Sequence, residues 1–360
     1  LGNFDLRELR ALRGLLKSLF LHNPYLLTTL YLPRHYKQDK KKSTNYSLII
    51  FIVLGFLLIT SVVVKWKSIV SYFSGNSIQK ISKLEEKINE SLAKKTFPKN
   101  LIGEYKAATN LYFETAPIDS TANYLIAKTY YYQVLDRIQF DMTEIIELTS
   151  FERKKSYIEY FHAEEDLESM YRIALRANSF NPKFNESESN KLLMYLYELI
   201  VNRKKPAILL GELSLLDATK LNKEMEKTFI WMQIISSALS GNSDYLENAL
   251  ASNENLGEKK IDIQPRNISY LKGITFYHNG DYVKSLNFLR ESKLGYDLIT
   301  IEATKFEAMI FFQQNLHEKA VSLLETIYGE TGSQDKKIIR LLKQIVESKP
   351  GLKTKLKLED

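Results

Sequence analysis

The residues best suited to metal ligation or proton transfer in this chain are five histidines, His22, His35, His162, His278 and His317. Two histidines four apart on a helix can share a metal ion, and no pair here has that spacing. A metal site would need side chains brought together from distant parts of the chain. Cysteine is absent, which removes disulfides, thiolate ligands and sulfur nucleophiles together. Glu164, Glu165 and Asp166 form a run of carboxylates, suited to acid–base work if buried and to a solvated helix face if not. The sequence has no phosphate-binding glycine loop, no G-x-S-x-G elbow and no H-E-x-x-H pair. Tyr130, Tyr131 and Tyr132 are capable of stacking on bases, but no basic residues interleave them, and aromatics at helical spacing fit a core. The expectation is therefore a protein without enzymatic activity, cofactor or metal, and without a nucleic-acid partner.

The elements around these residues read as helices. Glycine (14) and proline (8) are scarce among 360 residues, which suits helices better than a turn-rich sheet. The net charge of +7 is unevenly spread. Residues 1–46 hold nine basic and three acidic residues, residues 47–64 hold none, and the remainder is close to balance with 41 basic and 40 acidic. The large C-terminal part thus has no global field for steering a phosphate backbone.

Ser47–Val64 reads SLIIFIVLGFLLITSVVV, with no charge and fourteen of eighteen residues Leu, Ile, Val or Phe. As a helix it would cover roughly 27 Å, close to the hydrocarbon thickness of a bilayer. Its insertion is favourable by roughly 4 to 8 kcal/mol before its polar residues are counted. Tyr46 and Trp66 sit at its two ends, where amphipathic rings favour the headgroup level. The run is too long, and begins too far in, for a cleaved signal peptide. A single uncleaved transmembrane helix over 47–66 is expected. Arg34, Lys37, Lys40, Lys41 and Lys42 precede it, against Lys65, Lys67, Lys80 and Lys83 after it. That bias places the N-terminus in the cytoplasm and the large domain on the far side of an inner membrane, extracytoplasmic, which is the periplasm if the source is a two-membrane bacterium.

Within residues 1–46, Asp5 and Glu8 are spaced to cap a helix running to about Leu21. Leu6, Leu9, Leu12, Leu16, Leu19 and Phe20 fall on one stripe, edged by Arg7, Arg10, Arg13 and Lys17. Such a helix suits either the interface of an anionic bilayer or the surface of a partner protein. After the span, residues 67–97 form a helical linker in which Ile78, Ile81, Leu84, Ile88 and Leu92 recur at helical steps. It is either a stalk or the first layer of the domain at 98–347. Residues 348–360 are a polar tail.

The clearest internal pattern lies between Asn267 and Tyr328. Gly273, Phe276, Gly280, Tyr282, Ser285 and Leu289 are followed by Ala308, Phe311, Ala320, Leu324 and Ile327. The small residues recur 35 positions apart, Gly273 to Ala308 and Ser285 to Ala320. A small residue late in one helix meets another on the next, and Asn279-Gly280-Asp281 makes the tight turn, with Asn315 in the glycine's place in the second copy. The pattern resembles two tetratricopeptide (TPR) repeats, although Ser269 and Thr304 stand where that family has aromatic residues. Weaker copies surround Ala108, Tyr112, Ala127 and Tyr130, then Tyr171, Ala174 and Leu175, then Ile230 to Ala249. An amphipathic helix at Asp335–Glu347 fits a terminal cap.

The resemblance implies an all-α solenoid of four to six helical hairpins whose first helices line a groove for other proteins. Tyr270, Tyr277, Lys305 and Phe312 are its groove candidates. Anchored domains of this kind resemble subunits of envelope-spanning machines, the periplasmic collar of spirochaete flagellar motors among them. The implied function is a membrane-anchored scaffold in an oligomeric assembly. An anchored chaperone for exported proteins is the second reading.

Overall fold

The computed structural model describes residues 77–94, 96–150, 163–202, 204–330, 336–349 and 351–356. All described residues belong to the unit at 66–360. The expected transmembrane segment and the basic helix before it lie outside the described residues. Among the described residues no helix is long and apolar enough to cross a membrane.

The described residues are all-helical, with fourteen α-helices and no strand. Helix α1 covers 77–93 and stops before Pro98. Its Ile81, Leu84 and Ile88 are buried in the main core, so this helix is a packed layer of the domain. Helices α2 (Lys99–Thr115) and α3 (Ser120–Val134) form a hairpin around Ala116-Pro117. Asp119 starts α3 by accepting a hydrogen bond from the Ala122 amide at 2.8 Å. A short helix, α4 (Met142–Thr149), follows. The Asp141 carboxylate accepts from the Glu144 amide at 3.2 Å, and the Glu144 carboxylate accepts from the Asp141 amide at 3.0 Å.

Helices α5 (Glu164–Phe180) and α6 (Ser187–Ile200) make the next hairpin, and α5 packs along α3. Helix α7 (Pro206–Ser214) begins at a proline, which costs nothing at a first helical position because that N–H has no intrahelical partner. Two short 3-10 turns then lead into α8 (Glu226–Ser240) and α9 (Ser243–Asn255). The last two hairpins are α10 (Pro265–Asn279) with α11 (Tyr282–Ser292), and α12 (Leu298–Gln313) with α13 (His317–Glu330). Helix α14 (Lys336–Ser348) closes the series. The periodicity predicts Ile338, Ile339, Leu342 and Ile345 on its apolar face; Ile338, Leu342 and Ile345 are buried, Leu341 is buried with them, and Ile339 is half-buried at the edge.

Two apolar cores result. The larger runs from Ile81 to Ile310, and the smaller joins Ala308 and Met309 to α13 and α14. Leu352 and Leu356 of the C-terminal segment pack on the smaller one. Thr354 Oγ1 and the Lys355 amide both donate to Glu325 Oε1 at 2.6 Å, tying that segment to α13.

Candidate interaction surface

The hairpin α10/α11 shows why its residue types recur. Gly273 faces α11 so closely that an added Cβ would lie 2.8 Å from Leu289 Cγ and 3.1 Å from the Leu289 amide nitrogen. Ser285 Oγ donates to the Gly273 carbonyl at 2.7 Å, so the polar group at the crossing is satisfied. The turn is made by Gly280 at φ +83°, and Asp281 caps α11 by accepting from the Lys284 amide at 3.2 Å. In the next hairpin Asn315 takes φ +62° at the equivalent place, and Ala308 and Ala320 are fully buried. Asparagine enters this left-handed region more readily than other non-glycine residues.

Neighbouring hairpins also meet at their turns. Gly241, at φ +73°, ends α8, and a Cβ there would stand 2.7 Å from the Asn279 amide nitrogen and 2.9 Å from the His278 carbonyl carbon. Phe276 and Phe288 stack across α10 and α11 with centroids 5.6 Å apart, flanked by the Lys284 and Lys272 ammonium groups. A shallow depression of about 90 Å³ lies beside them, lined by Leu246, Lys272, Phe276 and Phe288 among others. A second, of about 200 Å³, lies where α7 meets the α8/α9 turn.

The four groove candidates occupy two kinds of place. Tyr270 and Lys305 are 0% and 1% exposed, whereas Tyr277 and Phe312 are half-buried. The covering element at Tyr270 is α4, which packs on α8 and α12, and the buried Tyr270 hydroxyl makes no hydrogen bond with a described residue. Burial, followed by the nearby Glu302 carboxylate, pushes the Tyr270 hydroxyl well above its ordinary pKa. Lys305 pairs with Glu302 one turn earlier on the same helix at 2.9 Å. Tyr277 packs edge-on against Phe306 at 5.1 Å and accepts from Gln313 Nε2 at 3.2 Å, which joins α10 to α12. Phe312 meets His317 at 5.1 Å. Of the four, Tyr277 and Phe312 present surface. The membrane-interface candidates Arg7, Arg10, Arg13, Lys17, Tyr46 and Trp66 lie outside the described residues.

The other residues singled out by chemistry also find places. Tyr131 and Tyr132 are buried in the core and Tyr130 is half-buried. Glu164 and Glu165 are exposed at the start of α5, and Asp166 pairs with Arg137 at 3.5 Å. His278 is exposed, His317 is half-buried, and the other three histidines lie outside the described residues. Among the described residues no cluster of three or more His, Asp or Glu side chains is placed to hold a metal ion.

One charged centre escapes sequence reading. Lys128 of α3 is 1% exposed and pairs with both Glu224, from the 3-10 turn before α8, and Glu85 of α1, the latter at 3.0 Å. Tyr105 donates to Glu85 at 2.7 Å, and Tyr131 and Thr228 hydroxyls lie 2.8 Å apart beside it. Burial alone would lower the Lys128 ammonium. Tyr132, Glu224 and Glu85 outweigh it and hold the ammonium above its ordinary pKa. The centre clamps α1 onto α3 and α8. Its members lie 43 and 96 positions from Lys128, so no local pattern marks them. Comparison of the chain with protein-family models, curated proteins and solved structures returns no match.

Proposed function

We propose that this chain is a membrane-anchored scaffold whose TPR-like helical hairpins bind other proteins of an envelope-associated assembly. The observation that carries this reading is the shared construction of α10/α11 and α12/α13. In both, buried small residues recur on the two paired helices and a left-handed residue makes the turn, with matching positions 35 apart. Stacked hairpins of this kind present extended surfaces, and such surfaces serve protein recognition. In this reading Ser47–Val64 anchors the domain to an inner membrane, Tyr46 and Trp66 mark the headgroup level, and the large domain is extracytoplasmic. A subunit of a motor or secretion apparatus, of the flagellar-collar type, is the specific form proposed.

The test is photocrosslinking in native membranes, with a photoreactive residue at Tyr277 or Phe312 and the products identified by mass spectrometry. A scaffold gives the same neighbour at constant stoichiometry from both positions. Many unrelated products that exchange with added unfolded protein would overturn the scaffold reading.

A further inference from the structure

The C-terminal end of the domain differs in charge from the rest. Residues 65–335 hold 33 basic and 37 acidic residues, whereas residues 336–360 hold eight basic residues against three acids, Glu347, Glu359 and Asp360. In the structure Arg340, Lys349, Lys353 and Lys355 are exposed, and none makes an ion pair with a described residue. Arg340 and Lys349 lie on and just after α14, whose apolar side turns onto α13. The extended segment after it alternates, with Leu352, Thr354 and Leu356 half-buried and Gly351, Lys353 and Lys355 outward. The Glu325 bonds to Thr354 and Lys355 hold that register.

We infer that this lysine-rich end is a second membrane-contact site, which docks on anionic phospholipid headgroups. This rests on the anchored reading, since a tether keeps the domain at a bilayer. The composition selects lipid over protein. Seven of the eight basic residues are lysine, and no aromatic residue occurs after Tyr328. Protein interfaces are depleted in lysine and draw their affinity from aromatic and arginine anchors. Headgroup attraction needs only point charges within a Debye length of the surface, and each adds about fivefold to binding. A bilayer anchor joined to a polybasic patch is a recognised two-signal arrangement for holding a domain against a membrane.

The chain has no cysteine, so Ser348→Cys places a single fluorophore beside the patch in the full-length protein. The protein is reconstituted into vesicles carrying a headgroup acceptor dye, either phosphatidylcholine alone or with phosphatidylglycerol. Energy transfer should be high only with phosphatidylglycerol, and should fall at about 0.5 M salt, where the Debye length shrinks to a few ångströms. Charge reversal at Lys349, Lys353 and Lys355 together should lower the docked fraction about a hundredfold or more. The matched reversal at exposed Lys183, Lys205 and Lys259 should leave transfer unchanged, and the melting temperatures of both variants show whether they fold.

Equal transfer in the two lipids, or equal loss in both triple variants, would overturn the inference. So would binding of polyglutamate, read as a change in the fluorophore's emission, at a salt where phosphatidylglycerol has no effect, which would mark a site for acidic protein. Alkaline carbonate extraction of the same vesicles reads the anchor separately. A chain that stays in the pellet with its fluorophore remote defeats only the docking. A chain that is extracted defeats the anchor.

Discussion

At the scale of single residues, the most consequential is Lys128. A buried ion pair is weak evidence of stability, but removing one partner leaves an uncompensated charge. Lys128→Met should therefore cost about 3–5 kcal/mol, read as a lower urea midpoint. The double change with Glu224→Gln should cost less than the sum of the two single changes, because one stranded carboxylate goes with its partner. Additive costs would mean that Lys128 and Glu224 are not coupled. Glu144 offers a pH test. Burial raises its carboxyl from 4.5 to about 7, against the backbone amides of Asp141 and Gln139, which lower it. The folded state then binds more protons than the unfolded state between those values. The Glu144 contribution is fully present below about 4.5 and lost as pH rises to about 7, a change of roughly 3 kcal/mol. Against a Glu144→Gln variant, the wild type should lose relative stability across that window. A relative gain would show that the two amide donors outweigh burial. Neither residue could be singled out from sequence. Lys128 looks like any helical lysine until α1 and the turn before α8 are folded over it, and Lys305 looks like a groove residue until Glu302 and its covering helices bury it.

At the scale of elements, much was legible because the devices are local. Left-handed turns announce themselves as Gly241, Gly280 and Asn315, and the close crossing of α10 with α11 as Gly273 and Ser285, with Ala308 and Ala320 buried at the matching positions. The elements that break the hairpin rhythm were not legible. Helix α4 has eight residues, too few for periodicity to register, and α7 is defined by its contacts with α6 and α8. The glycines allow the crossing and the stacking to be tested apart. Gly273→Leu places a side chain where a Cβ alone already lies 2.8 Å from Leu289. Overpacking of about 1–3 kcal/mol or more should exceed the gain of about 1 kcal/mol from helix propensity, and the melting temperature should fall. Lys284→Leu, on the exposed side of α11, should change stability by about 1 kcal/mol at most, since it loses only a surface pair with Asp281 and an exposed contact with the Phe276 ring, which the leucine can also cover. Gly280→Ala meets nothing within 4 Å, so it should cost only the left-handed backbone penalty of about 1–2 kcal/mol. Gly241→Ala carries that same penalty and also collides with the Asn279 backbone, so it should be clearly worse. Equal costs at Gly241 and Gly280 would mean that the two turns do not abut in solution.

At the scale of the whole molecule, the two cores decide how the domain comes apart. Helix α12 is the wall between them: Phe306 and Ile310 face the larger core, Ala308 and Met309 the smaller. Among the described residues the smaller core is closed by α13, α14 and the segment through Leu356, with Tyr277 of α10 at its edge, and the exposed Arg340, Lys349, Lys353 and Lys355 lie on the elements that close it. Fewer buried apolar contacts and self-repulsion both lower the free energy of local opening there. Amides of α13 and α14 should exchange with deuterium sooner than those of α3, α8 or α10, and α12 should keep its protection when they open. Leu342→Ala deletes buried methyl groups wholly within the smaller core, at a cost of about 2–5 kcal/mol. If the hairpins are coupled chiefly to their neighbours, that cost should appear as faster exchange over 317–348 and leave 99–292 unchanged. Leu196→Ala, equally buried but in the larger core, should speed exchange from α2 through α12. A mass-resolved exchange experiment on both variants separates the outcomes. Uniform acceleration by Leu342→Ala along the whole domain would mean that α12 transmits the damage and the fourteen helices unfold as one body.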